Sequence, residues 1–303
     1  MKASLNFIKN LKSAIRKLIG SKYSSVVVGY LNNIKKKYFD ILIFINEKLN
    51  IKTGPYECKK LNFLDEISPV TCFADAEMGE NKSPEYSEGD FETVSRKVPA
   101  VNLYQLKDCV FTITSSNFLS DDTLFVDRIT DIPLSISDYS TGFLKCHNEV
   151  VGLININKKI ETLKVKSAYF LGGNGSWNYY HWMTEILPKL KYIATEPGYN
   201  RCQNLVVSSE VSITDSFKKT LQAAIESFDF KIHFLKRGLI YHIENLYVIS
   251  NPSNVLFNGK IEKPKIEFSY IRKSSIDYAR SIGLKLVDER MNKQEENKVF
   301  IAR

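Results

Sequence analysis

The sequence predicts an α/β protein built on a mostly parallel sheet, and three observations carry that expectation. From Ser167 onward strand-like runs alternate with helix-like ones: SAYFL precedes a helical stretch from about Tyr179, LVVSS precedes an amphipathic stretch over 214–228, and KIHFL and NLYVIS follow as strands. Between Pro99 and Lys166 the chain breaks into short β-rich runs, VNLYQL, CVFTITS, TLFVDRI, VVGLINI and TLKVK, separated by turn residues. The 303 residues are 44% hydrophobic and 25% charged, with 14 Gly and 9 Pro, a composition that excludes disordered and collagenous classes and can fill two domains.

Taken in chain order, residues 1–50 form a basic arm, with ten Lys or Arg against Asp40 and Glu47, which equals the whole net charge of +8 and leaves the body neutral. Leu5, Ile8, Leu11, Ile15, Leu18 and Ile19 recur at steps of three and four, so the arm reads as a basic amphipathic helix. Such a helix suits an anionic membrane surface, or packs on its own domain with a solvated basic face. A nucleic-acid role finds no zinc-finger spacing, RNP-like motif or further basic stripe beyond it. Residues 51–98 read as an irregular linker, because 75–97 carry seven acidic residues, two Gly and one Pro with few aliphatic side chains. An α/β domain over 99–262 follows. Residues 263–303 then hold a helix over 268–282, a polar connector and the strand-like KVFIAR, the opening strand of a second α/β domain.

Five Cys, widely spread with no C-x-x-C, suggest neither a disulfide framework nor a zinc knuckle and favour a cytoplasmic setting. The apolar runs are too short to span a bilayer.

The chemistry concentrates in AYFLGGNGSWNYYHWMTEILPKL, residues 168–190, a strand, a Gly-rich turn and a helix. Gly172, Gly173 and Gly175 open conformations closed to other residues, and a helix start behind such a turn suits an anion or a ligand hydroxyl; a tight connection without ligand explains them equally. Asn178 stands where a dinucleotide fingerprint needs its third Gly, and Glu196, at the distance of a ribose-binding acid, sits in the turn-like ATEPGYN, so an oxidoreductase is disfavoured. Asn178, His181, Trp182 and Glu185 fall at i, i+3, i+4 and i+7 and share one helical face. His181 and Glu185 are then either a general base and its partner or a brace for a buried helix. Pro188 leaves the carbonyl of Thr184 without its helical donor, so the helix should kink or end there. Ser176 lacks the second Gly of a nucleophile elbow, and zinc would need a third ligand that His147, His233 and His242 do not offer by spacing.

The run Asn178-Tyr179-Tyr180-His181-Trp182, then Glu185, Pro188 and Leu190, resembles the N-Y-Y-H-W-x-x-E-x-L-P-R-L signature of glycosyltransferase family 61, the capsular polysaccharide type, with Lys189 in place of the usual Arg. The terminal VFIAR resembles the family's Y-I-S-R strand, so the likeness covers roughly residues 100–303. It implies a GT-B enzyme, with a Rossmann-like N-terminal domain for the acceptor and a second for the donor. The implied reaction is inverting and metal-independent, moving a sugar from a nucleotide-sugar donor to a hydroxyl of a capsular or surface polysaccharide acceptor, with no cofactor.

By the same resemblance His181 and Glu185 are the catalytic candidates, Asn178, Trp182, Gly173 and Gly175 shape the acceptor site, and Arg303 faces the donor phosphates. The implied partners are a nucleotide sugar, a glycan or lipid-linked saccharide and, through residues 1–50, the inner face of the cytoplasmic membrane. The family's donor domain, with its His-Gly-Ala-Gly type motif, would follow Arg303, so these 303 residues alone are expected to bind donor poorly. The alternative is an inactive membrane-peripheral remnant, or a subunit that binds a glycan or a partner transferase.

Overall fold

The computed structural model describes residues 37–46, 54–82, 93–127, 142–148, 150–156, 159–195, 202–254 and 270–292. The amphipathic segment 5–19, the terminal strand and Arg303 lie outside them. The strands, in chain order, are β1 (Glu57–Phe63), β2 (Thr71–Ala74), β3 (Glu77–Lys82), β4 (Thr93–Val98), β5 (Val101–Phe111), β6 (Asn117–Ser120), β7 (Thr123–Val126), β8 (Leu144–His147), β9 (Val151–Ile154) and β10 (Ile160–Thr162). They continue with β11 (Ser167–Leu171), β12 (Asn204–Ser208), β13 (Lys231–Leu235), β14 (Ile240–Ile249), β15 (Ser253–Asn254) and β16 (Tyr270–Ile271). The helices are α1 over 37–46, α2 (Tyr179–His181) running into a π-helical turn (Trp182–Ile186), α3 (Lys189–Thr195), α4 (Glu210–Ile213), α5 (Asp215–Ile225) and α6 (Lys273–Asn292).

One mixed sheet organises the protein, in the order β13-β12-β11-β14-β5-β6-β7-β1-β9-β8, with β10 beside β14 and β2 beside β5. The first four strands are mutually parallel. Their near-continuous apolar runs, such as Ala168-Tyr169-Phe170-Leu171, are what a sheet buried on both faces requires. From β14 to β7 every pairing is antiparallel.

The two halves are folded onto each other. Phe170 pairs with Val248, and Phe111 with Tyr241, seven residues earlier on β14. A flat sheet would set Phe111 and Phe170 roughly 23 Å apart at about 3.3 Å per residue. Their rings instead meet edge-on at 5.7 Å, and Phe118 reaches Phe170 at 5.1 Å. Asp108, inside β5, has a φ of 42°, a left-handed conformation that bends the strand where the fold-over occurs.

The parallel half therefore has unlike covers. On one face Tyr169, Leu171, Leu205 and Val207 lie under Trp182, Leu190, Phe217, Leu221 and Ile282 of the helices. On the other, Phe170, Val206 and Val248 pack on Tyr104, Leu106, Phe111 and Phe118 of the antiparallel half. A Rossmann-like domain carries helices on both faces; here the second cover among the described residues is the sheet itself.

Three expectations are corrected. Within 51–98 the described residues, 54–82 and 93–98, are not an irregular linker: β1 sits inside the sheet between β7 and β9, β2 pairs with β5, and β3 and β4 pair antiparallel. VNLYQL and the first three residues of CVFTITS make one eleven-residue strand, continuous through the bend at Asp108. Residues 37–46 of the expected arm belong to the body, because Phe39, Leu42 and Ile43, spaced i, i+3, i+4, pack on Tyr56, Cys146 and Leu153.

Candidate functional site

Strand order reverses between β11, which is followed outward by β12 and β13, and β14, which lies on its other side. The carboxyl ends of strands at such a reversal are where open α/β sheets place ligands. Two segments meet that edge: the Gly-rich turn after β11 and Ser250-Asn251 after β14.

The Gly-rich turn is packed rather than open. A side chain on Gly172 would collide with the Ile113 carbonyl, and Gly173 has a φ of 131°. The N–H groups of Gly173 and Asn174 donate to Ile113 O (3.0 Å) and Ser116 Oγ (3.3 Å), and those of Ser176 and Asn178 to the carbonyls of Gly173 and Gly175. These donors are spent inside the protein, so the turn acts here as a tight connection docked on the buried loop Thr112 to Asn117. Gly175 has a second duty. Its φ is 76°, and a Cβ there would lie 2.6 Å from the imidazole of His181, so the missing side chain leaves the space the ring occupies.

Asn178 caps the helix, its Oδ1 accepting the N–H of Tyr180 at 2.9 Å. One turn later the ladder widens: Leu187 N–H donates to Trp182 O (2.8 Å), five residues back, and the helix breaks at Leu187-Pro188 before α3. The disruption expected from Pro188 is therefore a π-helical turn, a feature frequent at functional sites. His181 Nδ1 and Glu185 Oε2 are 3.1 Å apart, with both side chains buried. Trp182, expected on that same face, turns the other way. It is completely buried in the helix-side core, where its Nε1–H donates to Thr220 Oγ1 (3.0 Å) and its ring meets that of Phe217.

Beyond the break, Lys189 is also buried, its ammonium 5.9 Å from the centre of the Phe170 ring. Burial pushes its pKa down, and the carboxylates of Asp127 and Glu185 oppose that shift. Asp127 follows β7 and lines a small cleft with Asp65, Tyr104, Ser250, Asn251 and Tyr270, enclosing about 50 Å³. Its N–H donates to Ser116 O (3.0 Å), and its Oδ2 accepts the N–H of Asn251 at 3.1 Å. Burial raises the Asp127 carboxyl to about 6; Lys189 and the Asn251 N–H pull it down, while Asp65 and Glu185 push it further up. Tyr104, whose hydroxyl accepts Asn102 Nδ2–H (3.1 Å), is pushed up to about 12, chiefly by burial.

Of the residues singled out in the sequence, His181 and Glu185 come together, and Gly173, Gly175 and Asn178 shape the turn that holds them. Trp182 belongs to the core. Asp127 and Lys189 were missed as site residues. Asp127 reads as a mid-run polar residue in TLFVDRI, and the only sign of Lys189 was its place as the basic residue of the motif. Among the described residues, no group of three or more His, Cys, Asp or Glu is placed to hold a metal ion, and no helix is long and apolar enough to cross a membrane. Compared with known proteins, the chain matches no protein-family model, no curated protein and no solved structure.

Proposed function

We propose that this chain carries the acceptor side of an inverting, metal-independent GT-B glycosyltransferase, which moves a sugar from a nucleotide-sugar donor to a hydroxyl of a capsular or surface polysaccharide. The observation behind this reading is the run from Asn178 to Leu190. Those residues, quoted above for their resemblance to family 61, fold as an irregular helix at the strand-order reversal, with His181 and Glu185 in contact. The parallel half of the sheet would be the family's acceptor-side sheet, with the antiparallel layer as an addition to it.

In the proposed reaction a base takes the acceptor hydroxyl's proton. The oxygen then attacks the anomeric carbon, and the bond to the nucleoside diphosphate breaks with its electron pair on the leaving phosphate. Calorimetry with a panel of nucleotide sugars, beside turnover assays with saccharide acceptors, tests this. Transfer of sugar with inversion supports it. Hydrolysis or hydride chemistry with a nucleotide ligand, in place of transfer, would remove it.

The burial of His181 and Glu185, neither of which lines the cleft, favours a second reading: a non-catalytic subunit or inactive remnant that binds a glycan or a partner transferase. For location, we propose the cytoplasmic face of the membrane, peripherally held through residues 1–50. That segment carries the entire net charge, and α1 turns Ile41 and Phe44, each 57% exposed, away from the body. Co-sedimentation with anionic vesicles, lost on deleting residues 1–36, is the expected outcome; binding that persists unchanged would end the arm's membrane role.

A further inference from the structure

The motif draws attention to His181, but the cleft points elsewhere. Neither His181 nor Glu185 lines it, and both are at least 95% buried. Asp127 does line it, partly open and held at a fixed position by two backbone hydrogen bonds, through its own N–H to Ser116 O and from Asn251 N–H to its Oδ2. Among the described residues no other hydrogen bond reaches that carboxylate, and the Asn251 N–H occupies Oδ2 rather than Oδ1. Its walls combine buried aromatic side chains, Tyr104 and Tyr270, with the polar Ser250, Asn251 and Asn254, a mixture of apolar and hydrogen-bonding groups. A cleft volume of about 50 Å³ suits one hydroxyl-bearing edge of a ring rather than a whole saccharide.

We propose that this cleft takes the hydroxyl-bearing edge of the acceptor sugar and that Asp127, rather than His181 or Glu185, accepts the hydrogen of the attacking hydroxyl. This rests on the transferase reading above. In the reaction the hydroxyl O–H bond breaks, its proton goes to Asp127 Oδ1, and the oxygen bonds to the anomeric carbon of a nucleotide sugar as the nucleoside diphosphate departs with the electron pair. The groups facing Asp127 set its character: Lys189 from α3, Glu185 from the π turn, Asp65 from the turn after β1, Tyr104 from β5 and the Asn251 N–H after β14. With its titration raised to about 6, the carboxylate is ionised at neutral pH yet basic enough to take a proton as the bond forms. His181 and Glu185 are positioning residues, bracing the turn that carries α3 and Lys189.

The test is NMR on the full chain with carboxyl-labelled aspartate, titrated alone and with methyl glycosides of glucose, galactose, mannose, xylose and N-acetylglucosamine. The Asp127 resonance, assigned by its loss in Asp127→Asn, should titrate near 6. At least one glycoside should move it, with affinity falling about tenfold as the carboxylate protonates and a charge-assisted hydrogen bond is lost. Asp127→Asn should bind that glycoside about tenfold more weakly at neutral pH and without pH dependence. A glycoside that binds while leaving the Asp127 resonance still and its affinity flat with pH overturns the proposal and leaves the acceptor-side reading standing. If no glycoside binds at any pH, both fall together. The wild-type titration needs no variant to fold.

Discussion

Two pairs of ionisable side chains, His181 with Glu185 and Asp127 with Lys189, were built by different means. His181 and Glu185 are four residues apart on one helix and touch at 3.1 Å, so local geometry alone brings them together. Asp127 and Lys189 are separated by 62 positions, come from opposite halves of the folded sheet, and influence each other through their charges. The local pair is sealed in protein, whereas the distant pair presents Asp127 to the cleft. Sequence spacing can point to a motif while the group exposed to a ligand is supplied by a strand far away.

The contrast is sharpened most by the pH dependence of stability. The folded Asp127 carboxyl titrates at about 6 against an ordinary 3.8. Its contribution is thus fully present below 3.8 and lost as pH rises through 6. Relative to Asp127→Asn, the wild type should lose roughly 3 kcal/mol between pH 4 and pH 8, read from paired urea unfolding curves. A constant difference between the two proteins would mean that Asp127 is ordinary and the pairs are not distinct in kind.

Lys189→Met removes the cation that holds Asp127 down, so the Asp127 midpoint should climb by about 1 to 3 units in the NMR titration. No movement would uncouple the pair. On the local side, Gly175→Ala places a methyl against the His181 ring and strains a left-handed φ, with an expected loss of about 2 kcal/mol in thermal or urea unfolding and a displaced imidazole signal. Asn178→Ala should cost about 1 kcal/mol, the value of one helix cap, with the Asp127 titration unchanged. A shifted Asp127 midpoint in that variant would show that the cap reaches Asp127 beyond the charge of Glu185 that already acts on it.

What could be read from the sequence was what local periodicity encodes. The runs SAYFL, LVVSS and KIHFL became parallel strands, and Pro188 disrupted its helix as its missing N–H requires. β1 is hidden in the sequence because Lys59 and Lys60 interrupt its alternation; Lys59 is half-buried and Lys60 exposed, which makes sense only beside the neighbouring strands. The paired strands β3 and β4 are polar and poor in aliphatic residues, so pairing rather than composition defines them. Trp182 is buried in the helix-side core against Phe217 and Thr220 of α5, a placement that depends on a helix more than thirty residues further along the chain. The fold-over of the sheet depends on register between β5 and β14, and with it the cleft was invisible to any window of a few residues.

The long pairing of β5 with β14 also carries a cost during synthesis. β5 ends at Phe111 and its partner begins at Ile240, so a ribosome must add nearly 130 residues before the centre of the sheet can close. At 5–20 residues per second that is roughly 6 to 25 s, during which a long apolar strand stands with one edge unpaired. A nascent chain in that state is a natural client for a holding chaperone, and lowering the translation rate should lengthen its exposure to aggregation rather than aid its folding.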